Sequence, residues 1–226
     1  KYLTADLRKD FVPSHMRLFQ VDGQQMALPH YTGVSGIFYN VEHFNEAGLP
    51  APDEQWTWHT LVVAAKRLTK SDADGRVTQW GFDIHPDVDR FVQFVWENGG
   101  RAIDEGRVVG DRLYFDEPQA IEAFEFQHSM IWEHGVAPPY SRIGKWPHDM
   151  FWNGDLSMWQ SGSWDVSVTM QNCVSDWNVA VRPRGRPGIA SAVHTADGYL
   201  VYKGTKHPDE AIELLKFLVS PAAQRV

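Results

Sequence analysis

DGQQMALPHYTGVSGIFYNVEHFNEAGLPAPDEQWTW, residues 22–58, is the stretch on which the fold turns. Arg17 to Val21 reads as extended, and Asp22-Gly23 supplies the pair of residues a tight hairpin turn demands. Met26-Ala27-Leu28-Pro29 leads out of the turn, and Gly33 and Gly36 flank Ile37-Phe38-Tyr39, a short apolar run expected to be a buried strand. A helix over His43 to Ala47 is stopped by Gly48, with Pro50 and Pro52 beyond it. Thr57 then suits the N-cap of a second helix, in which Leu61, Ala64, Ala65 and Leu68 recur at helical spacing.

The alternation continues outward. Ser71-Asp72-Ala73-Asp74-Gly75 turns the chain into a strand at Gln79-Trp80-Gly81-Phe82, and a helix over Val88 to Glu97 ends at Asn98-Gly99-Gly100. Asp116 is the expected N-cap of a long helix whose stripe is Ala120, Ile121, Phe124, His128, Ile131 and Trp132. Short elements occupy 147–172, Trp177 to Val181 is strand-like, and Arg182 to Gly188 is a loop. Gly198 to Tyr202 reads as a further strand, and Pro208 opens a last helix with Ala211, Leu214, Leu215 and Leu218 on one face. Strands alternating with helices give an α/β fold class.

Composition excludes several functions. The 226 residues can bury a sizeable core, and 21 Lys and Arg against 29 Asp and Glu give a net charge of −8 without charge runs. Nucleic acid is not an expected partner, because phosphate neutralisation needs clustered cations. No stretch approaches the roughly 20 apolar residues of a membrane helix. Cys173 stands alone, which rules out an internal disulfide and a cysteine-built metal cluster. Ten Trp, twelve Phe and seven Tyr imply either an aromatic core or a surface built for stacking. The start at Lys1-Tyr2-Leu3, without Met or a signal pattern, does not place the protein in the cytoplasm.

Candidate chemistry is sparse. Asp72-x-Asp74-Gly75 begins like a calcium loop, but Arg76 stands where a third oxygen ligand belongs, so a plain turn is the simpler reading. His85, Asp87 and Asp89 admit three readings: a metal cluster, a helix cap at Asp87, or carboxylates that accept hydrogen bonds from ligand hydroxyls. A hydrolase would need two facing carboxylates of different pKa, and no acidic pair sits in a catalytic context. Trp164 follows Gly162-Ser163 at a strand-to-helix turn, where side chains project into clefts. Its indole can stack on the C–H face of a sugar ring, an interaction of about 1–3 kcal/mol per ring; the other reading packs it under the turn.

The order of these residues resembles a known family. Asp22-Gly23, Ala27-Leu28-Pro29, Tyr39-Asn40, Phe44, Ala47-Gly48-Leu49-Pro50 and Trp58 are similar to a run in extracytoplasmic solute-binding proteins, the carbohydrate-binding group that includes maltose-binding protein. Ala64-Ala65-Lys66, Trp80-Gly81-Phe82, Asn98-Gly99-Gly100, Asp116-Glu117-Pro118, Gly162-Ser163-Trp164 and Lys206-His207-Pro208 continue it.

The resemblance implies a periplasmic-binding-protein type fold of two α/β lobes that close on a sugar. It divides this chain into 1–32 as the end of the first lobe, 33–198 as the second lobe and 199–226 as the return. On that pattern the chain is an internal piece, with most of the first lobe, further helices, a signal peptide and any lipid anchor outside it. Trp164 matches the family's stacking aromatic. Asp87 and Asp89 match a stretch that offers an acid and an aromatic; both are Asp here, which favours hydroxyl recognition. His30, Thr32 and Gly33 match the crossing segment, and Asp197-Gly198 the return crossing. The implied protein is an extracytoplasmic monomer, not an enzyme, without metal or cofactor, whose partners are a carbohydrate and the permease of an ABC transporter. A carbohydrate-active hydrolase or lectin-like module is the alternative.

Overall fold

The computed structural model describes residues 4–85, 87–104, 112–139, 144–185 and 189–225. Along the chain run α1 (Ala5–Lys9), α2 (Pro13–Leu18), β1 (Gln20–Val21), β2 (Gln24–Gln25), β3 (Leu28–Asn40), α3 (Val41–Glu46), α4 (Trp58–Leu68), β4 (Lys70–Ser71) and β5 (Val77–Gln79). They are followed by α5 (Val88–Glu97), α6 (Pro118–Trp132), α7 (Pro147–Trp152), β6 (Met158–Gly162), α8 (Val166–Asn172), β7 (Trp177–Ala180), β8 (His194–Tyr199) and α9 (Pro208–Leu218). The described residues of Lys1–Gly33 and His194–Val226 form one compact unit, and those of Val34–Glu105 and Asp111–Val193 form a second.

In the larger unit, β3 pairs antiparallel with β6 on one side and β7 on the other, with Ile37 opposite both Gln160 and Ala180. Side chains alternate across a strand, so neighbouring residues of β3 serve opposite faces. Ile37 and Tyr39 join a cluster with Leu61, Ala65 and Leu68 of α4, Phe94 of α5 and Ala123 of α6. Phe38 joins Met150 and Phe151 of α7 with Trp159 in a second cluster. Helices thus cover the sheet on both faces, although its strands are antiparallel. Thr57 caps α4 through a reciprocal pair with Thr60, as its position before the apolar stripe predicts.

A buried polar network ties this unit together. The Glu97 carboxylate lies 2.6 Å from Arg182 Nε, both side chains being fully enclosed, and Trp58 Nε1 donates to Glu97 at 2.8 Å. Arg182 Nη1 donates to Gln160 Oε1 at 2.9 Å, and Gln160 Nε2 to the Asp83 carbonyl at 2.7 Å. Burial pushes the Glu97 carboxyl above its ordinary range, opposed by the Arg182 guanidinium and the Trp58 N–H.

The smaller unit contains the β1–β2 hairpin, α1, α2, the start of β3, β8 and α9, packed around Met16, Leu28, Leu215 and Val219. Asp22 and Gly23 have φ of 49° and 75°, the left-handed pair the hairpin turn requires. Several expected elements shift. Pro13 opens α2, so Arg17 is helical and the extended run begins at Gln20. The return strand is His194–Tyr199, upstream of the expected 198–202. In α9 Leu215 is buried, while Leu214 is exposed.

The stripe of α6 also differs. Its N-cap is Glu117 rather than Asp116, and the side chains it buries are Ala120, Ala123, Gln127 and Met130. Small alanines let α6 approach α5 closely. The larger Ile121, Phe124 and Trp132 are left half-exposed, so Trp132 is not a core residue. Phe124 and Trp132 line a groove of about 550 Å³ with Val88, Phe91 and Phe115. The Pro/Gly/Arg loop falls partly on 186–188, outside the described residues.

Arg182→Ala would leave the Glu97 charge buried without its partner, a loss of about 3–5 kcal/mol. Urea unfolding measures it; a loss below about 1 kcal/mol would show that the pair does not hold the core.

Candidate functional site

β6 is buried along its whole length and ends at Gly162, after which a 3₁₀ turn over Ser163–Asp165 leads into α8. The Trp164 indole folds back over Gly162. A Cβ at that position would sit 2.4 Å from Trp164 Cη2 and Cζ3, so the close approach itself requires glycine. One side of the ring therefore rests on backbone, yet Trp164 stays 37% exposed. The turn is pinned twice. Ser163 Oγ accepts from the Val34 N–H at 3.2 Å, and the Ser161 hydroxyl donates to the Asp165 carboxylate. Trp164 thus combines both arrangements, with one part of the ring packed on the turn's own backbone and the rest exposed.

A second segment emerges at the same end of the sheet. Trp80 forms a parallel bridge with Leu156, and Asp83 binds Gln160 through both carboxylate and carbonyl, so 80–85 runs beside 156–160. His85 and Asp87 follow directly on this segment, as Trp164 follows on β6. His85 Nδ1 is 2.9 Å from Asp87 Oδ2, and Arg90 Nη1 is 3.3 Å from the same oxygen. Asp87 is the N-cap residue of α5, as the capping reading has it, but its side chain makes no cap hydrogen bond. Its exposed carboxylate accepts from Arg90 and lies close to His85 Nδ1. Asp89 is exposed in the first turn of α5. Pro86 lies outside the described residues.

Sequence reasoning passed over Trp146. It stands just before Pro147 at the start of α7, is 60% exposed, and stacks on His85 with ring centroids 5.8 Å apart at 27°. His148 flanks its other neighbour contact at 6.2 Å and 12°. The available signal was position: a Trp before a helix-opening Pro belongs to no apolar stripe.

The smaller unit holds the remaining candidates. His30 stacks on Tyr199 at 4.2 Å and 17°. Thr32 Oγ1 lies 3.0 Å from His15 Nδ1, and Gly33 is buried. Asp197 is exposed in β8. At Gly198 a Cβ would come within 2.8 Å of the Phe19 ring, so its role there is close packing. Trp164, Asp87 and Asp89 thus belong to the larger unit, and His30, Thr32, Gly33, Asp197 and Gly198 to the smaller.

Asp72 accepts from the backbone N–H groups of Asp74 and Arg76, and Gly75 has φ of 78°. That is an Asx-type turn, not a calcium loop. Among the described residues no group of three or more His, Cys, Asp or Glu is placed to hold a metal ion, which also removes the cluster reading of His85, Asp87 and Asp89. No helix there is long and apolar enough to cross a membrane. Aromatic faces beside a fixed carboxylate suit a ligand with apolar ring faces and hydroxyl donors.

Residues 3–225 match the family described as bacterial extracellular solute-binding protein. An uncharacterized ABC transporter extracellular-binding protein of Pyrococcus horikoshii is 25% identical over 217 residues, covering 94% of this chain and 48% of that protein. An arabinooligosaccharide-binding protein of Halalkalibacterium halodurans is 28% identical over 127 residues, 56% of this chain and 26% of that one. Among solved structures, an ABC substrate-binding protein from Listeria monocytogenes in complex with cycloalternan superposes with a TM-score of 0.84 at 24% identity. That match covers 96% of this chain and 53% of the other, and it shows the shared fold. The chain spans about half the length of the curated relatives it matches.

Gly162→Ala should drive the indole off its backbone seat and change the near-ultraviolet circular dichroism band of Trp164. A spectrum equal to that of the parent protein would mean that the ring does not rest there.

Proposed function

We propose a transport role from one premise: this chain belongs to the bacterial extracellular solute-binding protein family. The protein binds an extracytoplasmic carbohydrate, a mono- or oligosaccharide, and delivers it to the membrane permease of an ABC transporter. The larger unit supplies most of one lobe. The smaller unit is part of the other, and the units divide after Gly33 and after Val193 rather than at 198. Sugar bridges the lobes and favours the closed form, which is the form the permease recognises. In this reading the protein acts as a monomer outside the cytoplasmic membrane, tethered only if a lipid anchor lies beyond these residues.

The observation that carries this reading is the Trp164 ring, seated on Gly162 and still exposed at the turn that ends β6. A sugar presents C–H groups on one ring face and hydroxyls around its rim. Trp164 takes the face; Asp87 and Asp89 accept from the rim; His30, Thr32, Gly33, Asp197 and Gly198 contribute from the crossing segments. Trp146, stacked on His85, offers a second platform. The relatives named above are binding proteins, and the family is one of solute-binding proteins rather than an enzyme class, which disfavours the hydrolase or lectin-like alternative.

The test uses the longest reading frame that contains these residues. Calorimetric titration with a panel of mono- and oligosaccharides, with product analysis of the same samples, should show binding without turnover. Trp164→Ala should weaken binding by at least about 1 kcal/mol, roughly fivefold. Unchanged affinity, or sugar cleavage lost on changing Asp87 or Asp89, would overturn the reading. Trp146→Ala should weaken the longer ligands more than the monosaccharides, measured in the same titrations; equal losses across the panel would remove Trp146 as a separate platform.

A further inference from the structure

Gln93 is a buried amide to which the carbohydrate reading gives no task. It lies in α5 among Phe91, Val92, Phe94 and Val95, and only 2% of it is exposed. An amide in such a place is costly unless both of its ends are bonded. Its Nε2 donates to the Asp89 carbonyl at 3.0 Å, in the first turn of the same helix. Its Oε1 accepts from the Ser35 hydroxyl and, at 3.3 Å, from the Val193 N–H. That Val193 N–H also donates to Ser35 Oγ at 2.9 Å, and the Ser35 N–H donates to the Val193 carbonyl at 3.0 Å. Ser35 and Val193 stand beside the divisions after Gly33 and after Val193, where the larger unit passes into the smaller. One planar amide therefore bonds the helix turn of Asp89 at one end and these two crossings at the other.

We propose that Gln93 is a positioning residue that couples sugar held at Asp89 to the crossings, a role that rests on the carbohydrate reading. Sugar hydroxyls bound by the Asp89 carboxylate steady the first turn of α5, and through Nε2 they steady the amide. Because the amide is planar, its oxygen is held with its nitrogen. The Val193 N–H, shared between Oε1 and Ser35 Oγ, is then gripped by both acceptors and opens less often. Coupling between sites needs an element with two arrangements that each site biases, and this shared N–H is that element. By reciprocity, loosening the junction weakens the sugar.

The experiment records amide hydrogen exchange at Val193 by NMR in the complete protein. Spectra are taken free and saturated with the sugar of the mono- and oligosaccharide panel that it binds most tightly. Saturation should slow exchange at Val193 at least about fivefold. Gln93→Met keeps the length of the side chain without its polar ends; it should abolish that slowing and weaken sugar binding about fivefold. Gln79→Met, which strips a buried amide from β5, should keep the slowing, so lost polar bonding alone does not mimic the effect. Asp89→Ala, at an exposed position, tests the same link should Gln93→Met not fold. It should remove the slowing at saturation, whereas Trp164→Ala should keep it. Equal slowing in Gln93→Met or Asp89→Ala, or none in the parent while sugar binds, would overturn the coupling and leave the carbohydrate reading standing. A parent that binds no sugar of the panel would overturn that reading, and the coupling with it.

Discussion

Gln160 is where three segments of the larger unit are held together. Its side chain donates to the Asp83 carbonyl and accepts from Arg182, while its backbone N–H donates to the Asp83 carboxylate. All three residues are buried. A buried amide must satisfy its donor and acceptor together, so this geometry admits little slippage. It fixes where the 80–85 segment runs relative to β6, and therefore where His85 and Asp87 emerge relative to Trp164. The Glu97–Arg182 pair then locks the far side of the network against α5. Site geometry in this unit is thus inherited from a core constraint, not built in the loops that display it.

The tryptophans divide along the same line. Trp159 is buried in the second cluster, Trp58 donates to Glu97, Trp56 donates to the Val181 carbonyl, and Trp152 donates to Thr169. Trp58, Trp56 and Trp152 thus have their N–H groups satisfied, as an interior indole requires, whereas the buried Trp159 Nε1 has no hydrogen-bond partner among the described residues. Trp164, Trp146 and Trp132 are the ones left with substantial exposed surface. Trp164 and Trp146 lie on segments positioned by Ser163 and His85. Trp132 lies on a helix face whose groove is lined by Phe91, Phe115 and Phe124.

Much of the fold was legible in the sequence because it is written in short-range signals. Gly48 after a helix, Thr57 before an apolar stripe and Asp22-Gly23 between short strands each act within a few residues. Trp164 was legible for a similar reason, since Gly162-Ser163 marks the turn that displays it. What escaped was decided by packing between distant elements. The α6 stripe was misread because the alanines that permit close approach to α5 are less conspicuous than the Ile, Phe and Trp beside them. Arg182 and Glu97 meet across 85 positions of sequence, and no local pattern announces them. The Gln93–Val193 contact spans 100 positions and was invisible for the same reason.

The central claim is that the exposed face of Trp164 is a platform for a sugar ring. A crystal structure of the complete protein with a bound oligosaccharide tests it most directly. The account predicts a pyranose or furanose ring stacked on that indole at about 4 Å, the van der Waals contact distance, with ring hydroxyls directed at Asp87 or Asp89. A sugar bound elsewhere, with Trp164 covered by protein, would contradict it.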